Sequence, residues 1–230
     1  MSLELFGYKS IREKVEQEKK WFKNEFADCP IKYDSEAKWI DNAVICRLSL
    51  LKAYCDRFGI YQILNKEFND SLAKEISNLK LNRILEVGAG SGELARSMRT
   101  RGIDIYAVDN FTQPLPQRVL DTPDLPESLD YESAISKYQP ELIICSWMPP
   151  GEDWSPHFRA NETVKSYILI GDVEQCGTRQ TYNDFAGWQN YVLKEPNKWS
   201  MCRSDNGLDF DHPEIWWRHS QVIIYKRESL

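Results

Sequence analysis

The chain has 230 residues, 42% hydrophobic and 28% charged, with a formal net charge of −6. That length suits one α/β domain with a helical extension, and no apolar run approaches the roughly 20 residues that span a bilayer. The densest basic stretch, Lys9 to Lys23, is interleaved with Glu13, Glu16 and Glu18 and followed by Glu25. It reads as a solvated helix face, which disfavours nucleic acid as a partner.

The N-terminus lacks the basic-then-apolar form of a signal peptide, so a cytoplasmic location is expected. Helical periodicity runs from about Ser10 to Ala27, with Ile11, Val15, Trp21, Phe22 and Phe26 as core positions, and Asp28-Cys29-Pro30 breaks it. A second helix, capped by Asp34 or Ser35, passes through Trp39, Ile40, Val44, Leu48, Leu51 and Tyr54 to Phe58, and Gly59 ends it. A third fits Ser71 to Leu79. Residues 1–80 therefore predict a helical extension packed on a core domain of residues 81–230. Trp39 and Asn42 are possible ligand contacts, with core packing the first reading of Trp39.

Next comes Arg83-Ile84-Leu85-Glu86-Val87-Gly88-Ala89-Gly90-Ser91-Gly92-Glu93-Leu94. An apolar strand feeds a glycine turn and the start of a helix, an arrangement that brings backbone N–H groups close to a nucleotide-like ligand. The dinucleotide fingerprint needs its third glycine where this chain has Glu93, which argues against a nicotinamide cofactor. A second strand, Ile103 to Val108, ends in Asp109, 17 residues beyond Gly92. An acid there accepts hydrogen bonds from the ribose hydroxyls in doubly wound folds.

These residues resemble the first motif and second-strand acid of the class I S-adenosylmethionine-dependent methyltransferases. The resemblance covers roughly Leu81 to Asp172 and is looser beyond. It implies an α/β, doubly wound, mostly parallel seven-stranded sheet with the last strand antiparallel. It also implies S-adenosylmethionine as cofactor, with the methionine portion held by Glu86, Gly88, Ala89, Gly90 and Gly92. The adenosine would then be held by Asp109, Asn110, Asp130 and Tyr131, and the methyl side flanked by Ser146 and Trp147.

Prolines 114, 116, 123 and 126 make the stretch from Phe111 to Glu127 mainly loop, with at most a short strand near Arg118 to Leu120. A short third strand, Glu127 to Leu129, leads to Asp130, which reads equally as the adenine-binding acid of the resemblance and as the cap of a helix from Tyr131 to Tyr138. Strands follow at Glu141 to Cys145 and Tyr167 to Ile170. Helix is expected in part of Glu152 to Ser166, and a terminal antiparallel strand at Gln221 to Tyr225. One more strand is expected before the last, near Trp199 to Arg203.

The fourth strand opens into Ser146-Trp147-Met148-Pro149-Pro150-Gly151-Glu152-Asp153-Trp154, the acceptor side by resemblance. The two prolines stiffen this loop, and it is loosely similar to the proline motif of amino-group methyltransferases, which makes an amine acceptor a lead. Methyl transfer depends chiefly on alignment, and a base is needed only if the nucleophile arrives protonated. Asp153, Glu152 and Asp172 are the candidate bases, with Glu174 and His157 beside them. Trp147 and Trp154 are candidate pocket rings. A zinc site from Cys176, Cys202, His212 and His219 lacks ligand spacing, so no metal is expected. The six cysteines contain no C-x-x-C pair and fit reduced, buried positions. The expected activity is methyl transfer to a small molecule, with no membrane partner. A non-catalytic binding or scaffold protein of the same fold is one alternative, and a nucleic-acid or protein methyltransferase is another.

Overall fold

The computed structural model describes residues 55, 59–113, 115, 124–185, 187–205 and 220–228. Apart from Cys55, the first two predicted helices, with Trp39 and Asn42, lie outside these residues, as do His212, His219 and the short strand near Arg118. In chain order the elements are α1 (Lys66–Leu79), β1 (Ile84–Val87), α2 (Glu93–Arg99), β2 (Ile105–Asp109), β3 (Glu127–Ser128) and α3 (Tyr131–Tyr138). They continue with β4 (Leu142–Ser146), α4 (Ser155–Ala160), β5 (Ser166–Asp172), α5 (Arg179–Asn183), β6 (Trp188–Val192), α6 (Lys194–Trp199) and β7 (Ser220–Arg227).

The strands form one sheet in the order β3-β2-β1-β4-β5-β7-β6. β7 runs antiparallel to both of its neighbours, and the pairs among β1 to β5 are parallel. This is the sheet the resemblance implied, the Rossmann-like fold of the class I methyltransferases. The strand predicted near Trp199 to Arg203 is a correction. β6 is Trp188–Val192 instead, and Cys202 makes only an isolated bridge to Gln62. β6 is an edge strand with one buried residue, so it lacks the continuous apolar run by which buried strands are recognised.

β1 and β5 are buried along their length, and β4 from Leu142 to Cys145, because helices cover both faces. Side chains alternate between the faces. Ile84, Ile105, Leu142, Ile144, Ile168 and Ile170 meet Phe68, Leu72 and Ile76 of α1 and Leu94, Ala95 and Met98 of α2. Leu85, Val87, Ile143, Cys145, Tyr167 and Leu169 meet Ala134 and Ile135 of α3 and Phe158 of α4. α1 starts earlier than predicted. Asn65 caps it, its side chain accepting the N–H of Phe68 at 2.9 Å. No helix among the described residues is long and apolar enough to cross a membrane.

Candidate functional site

Strand order reverses between β1 and β4, and ligands in open α/β sheets bind beyond the carboxyl ends at such a reversal. The loop after β1 forms one side of this crevice. Gly88, Gly90 and Gly92 all adopt left-handed backbone, with φ of 65°, 53° and 71°. A Cβ at Gly88 would meet the Trp154 ring at 2.9 Å, and one at Gly92 would meet Pro126 at 2.9 Å, whereas one at Gly90 meets nothing within 4 Å. The three glycines therefore serve different ends: two permit close packing, and Gly90 serves the turn alone.

Asp109 ends β2 beside this loop. Its carboxylate accepts the Gly90 N–H and the Phe111 N–H, each at 2.7 Å. A carboxylate offers about four lone-pair sites, so two remain for a ligand. Phe111, two residues on, is itself left-handed at φ 52°. Asn110 is exposed and accepts from its own Thr112. It turns back on its loop rather than toward the glycines.

Glu86 lies between Leu85 and Val87 on β1, so it faces the opposite side of the sheet, beneath the start of α2. Burial pushes its carboxyl up to about 8, against the lowering effect of the Ala95 N–H. Its Oε2 has no hydrogen-bond partner. An unpartnered buried oxygen costs free energy, so this side chain keeps hydrogen-bonding capacity that the chain itself leaves unmet.

Asp130 is exposed and caps α3, its side chain accepting the Ser133 N–H at 2.9 Å. That hydrogen bond lowers its pKa. The capping reading describes its present contacts. Tyr131 stacks on Trp154, with ring centroids 4.8 Å apart and an 18° interplanar angle. Burial raises the Tyr131 hydroxyl to about 12.

The carboxylates proposed as bases hold separate local contacts. Glu152 accepts from the Trp154 indole at 2.6 Å. Asp153 accepts from the Ser155 N–H and hydroxyl at the start of α4. Asp172 is buried at the end of β5 and accepts from the Glu174 N–H and the Gln175 side chain. Glu174 and His157 are exposed.

Beyond β4, Ser146 is half-buried and Trp147 is left-handed at φ 61°. The Trp147 N–H donates to the Ile170 carbonyl at 2.7 Å, and its indole donates to Gln62 Oε1 at 3.1 Å. Gln62 also accepts from Ser220 and donates to Ser200. Residues 61–63 run alongside residues 201–203: the Ile63 N–H donates to the Met201 carbonyl and the Arg203 N–H to the Tyr61 carbonyl. Sequence reasoning missed Tyr61, Gln62, Ser200 and Arg203, because nothing in their spacing shows that these two distant segments meet over the crevice.

No family model matches the chain, and no curated protein matches it in sequence. Among solved structures it is similar to the methyltransferase domain of bacterial CtHen1-C, at 10% identity and a TM-score of 0.43, over 71% of this chain and 98% of that one. It is similar to human N-acetylserotonin methyltransferase, solved in complex with S-adenosylmethionine, at 12% identity and a TM-score of 0.42, over 79% of this chain and 56% of that one. A third likeness is to magnesium protoporphyrin IX methyltransferase from Synechocystis PCC 6803 with bound S-adenosylmethionine, at 13% identity and a TM-score of 0.37, over 92% and 97%. The fold assignment rests on the strand order and direction described above.

Proposed function

We propose that the protein is an S-adenosylmethionine-dependent methyltransferase acting on a small molecule. The observation that carries this is the pairing, at the strand-order reversal, of an unpartnered buried Glu86 oxygen with a left-handed glycine turn tied to Asp109. Glu86 and the turn of Gly88, Ala89, Gly90 and Gly92 would hold the amino-acid end. Asp109, already fixed by two backbone N–H groups, would hold the ribose diol, and Asp130 with Tyr131 the adenine end. Ser146 and Trp147 would border the methyl group. A bound sulfonium supplies an already activated methyl group, so this chain has to exclude water and align the acceptor. Glu152, Asp153 and Asp172 each accept hydrogen bonds from their own loops, which supports alignment rather than proton abstraction as the main contribution.

Isothermal titration tests the reading: S-adenosylmethionine and its demethylated product should both bind. Asp109→Ala should weaken binding by about 1–3 kcal/mol, the cost of unmade charge-assisted hydrogen bonds. Failure of both ligands to bind refutes it. The second reading, a binding protein without transferase activity, draws support from the Tyr131–Trp154 stack, which engages the ring expected at the adenine end. Cofactor binding without methyl transfer to any of a broad acceptor panel would favour it.

A further inference from the structure

The loop after β4 is fastened at two places in different ways. Its far part is held by backbone: the Gly177 N–H donates to the Met148 carbonyl at 3.1 Å, and the Gly151 N–H donates to the Gly177 carbonyl at 2.8 Å. Its first residue, Trp147, is held against its own backbone preference. A bulky residue at φ 61° persists only where its surroundings over-determine it. One hold is the Ile170 carbonyl, which accepts the Trp147 N–H at 2.7 Å. The other is Gln62, whose Oε1 accepts the indole N–H at 3.1 Å and is its sole acceptor among the described residues.

Gln62 cannot turn away from this indole without breaking a closed circuit. Its Nε2 donates to the Ser200 hydroxyl at 3.0 Å, that hydroxyl donates to the Ser220 hydroxyl at 2.9 Å, and the Ser220 hydroxyl donates back to Gln62 Oε1 at 2.7 Å. All three residues are buried. In such a circuit each bond polarises the next, so the bonds strengthen one another. The circuit also fixes which end of the amide faces Trp147. With oxygen and nitrogen exchanged, an amide N–H would meet the indole N–H, donor against donor. The backbone on either side is tied down as well: the Ile63 N–H donates to the Met201 carbonyl, and the Asn65 side chain donates to the Trp199 carbonyl.

We infer that Gln62 is the positioning residue for Trp147, and through it for the methyl side of the proposed site. The inference deepens the reading above and rests on it for the words methyl side. Gln62 acts through the indole. It holds the ring, and the strained backbone that carries it, in one place at the carboxyl end of β4. The circuit with Ser200 and Ser220 gives that hold its rigidity, so the end of α6 and the start of β7 both bear on where the ring stands.

The test uses the full chain, isotope-labelled at the tryptophan indole nitrogens and followed by NMR. The Trp147 signal is the one missing from Trp147→Phe. In Gln62→Met, which fills similar space without accepting from the indole, the Trp147 indole N–H should move upfield and exchange faster with water. Gln62→Glu keeps an acceptor oxygen, and its carboxyl O–H can donate to Ser200 where Nε2 did, so it should restore the signal. S-adenosylmethionine affinity, by isothermal titration, should fall about three- to tenfold in Gln62→Met, the size of one hydrogen bond, and recover in Gln62→Glu. Trp147→Phe keeps a ring and removes the N–H, and should weaken binding by a similar factor. The two substitutions combined should weaken it no further than either alone, because both remove one contact. An unmoved Trp147 signal in Gln62→Met overturns the inference, as do unchanged affinity or losses that multiply in the double variant. Where Gln62→Met does not fold, Ser200→Ala takes its place: it opens the circuit, leaves Gln62 and Trp147 intact, and should shift the same signal in the same direction, and an unmoved signal again overturns the inference. S-adenosylmethionine that fails to bind the wild type refutes the transferase reading, and the indole signal then decides alone whether Gln62 positions Trp147.

Discussion

The two ends of the sheet treat buried charge in opposite ways. At the amino ends, Glu141 accepts the Asn82 N–H at 3.0 Å and pairs with Lys165 and, at 3.8 Å, with Arg83. Lys165 above all holds its carboxyl down to about 2. Arg227 donates to the carbonyls of Val164, Asn161 and Arg159 in the same layer. At the carboxyl ends, Glu86 is pushed to about 8 with one oxygen unpartnered. The backbone follows the same division. Lys80 and Gln139 are left-handed as ordinary helix C-caps, whereas Phe111 and Trp147 are left-handed within two residues of the ends of β2 and β4. One end is built to be satisfied by the chain itself. The other leaves strain and unmet hydrogen-bonding capacity, which a ligand can relieve.

The largest expected effect falls on Glu86. Its folded pKa lies above the ordinary 4.5, so the folded state keeps the proton longer than the unfolded chain. Stability present below about pH 4.5 is therefore lost as pH rises toward about 8, by on the order of 3–5 kcal/mol, and levels off above. Glu86→Gln should abolish this component in denaturant titrations across that range. If the variant keeps the wild-type slope, the carboxyl is not held neutral and the contrast between the two ends fails. For the proposed cofactor, an ammonium would prefer the ionised carboxylate, so wild-type affinity should rise with pH up to about 8 and that rise should vanish in Glu86→Gln.

Gly88→Ala comes next. The new Cβ would press on the Trp154 ring in a left-handed backbone, for a loss of about 2–3 kcal/mol in thermal or chemical denaturation. Gly90→Ala meets no neighbour and should cost only the backbone component, about 1–2 kcal/mol. Equal losses at the two positions would mean that Trp154 does not pack on the turn. Glu141→Gln should lower stability by about 1–2 kcal/mol at neutral pH, discounted because Lys165 and Arg83 are more than half exposed. Because its folded pKa is depressed, this contribution is present above about pH 4.5 and lost as pH falls toward 2. Cofactor titration should be unaffected, which marks the amino end as structural. Smallest is Lys80→Gly, which suits the left-handed cap at φ 54° and should raise stability by about 0.5–1 kcal/mol.

Much of the sheet was legible because buried parallel strands read as apolar runs. Leu142 to Cys145 and Tyr167 to Ile170 needed only their own residues to be found. β6 was misplaced because Gln189, Asn190 and Tyr191 on an edge strand carry no such run. The glycine turn was legible for a local reason too: φ between 53° and 71° at three alternate positions is a demand that glycine alone meets without strain. The base candidates were less legible. Glu152, Asp153 and Asp172 stand near one crevice in sequence order, yet hydrogen bonding within each loop directs them to Trp154, Ser155 and Gln175.

Sequence alone determined the strand–turn–helix unit, the acid at Asp109 and the places of the central strands along the chain, since each depends on a pattern within a few residues. Only the tertiary structure decided which groups remain unsatisfied and which distant side chains meet. Whether Glu86 finds a partner depends on what α2 presents to it across the fold. Whether the Trp147 indole finds an acceptor depends on Gln62, 85 residues away, and on Ser220, 158 residues beyond Gln62, which donates to the same oxygen. Burial and long-range hydrogen bonding are properties of the packed chain, and no local pattern encodes them.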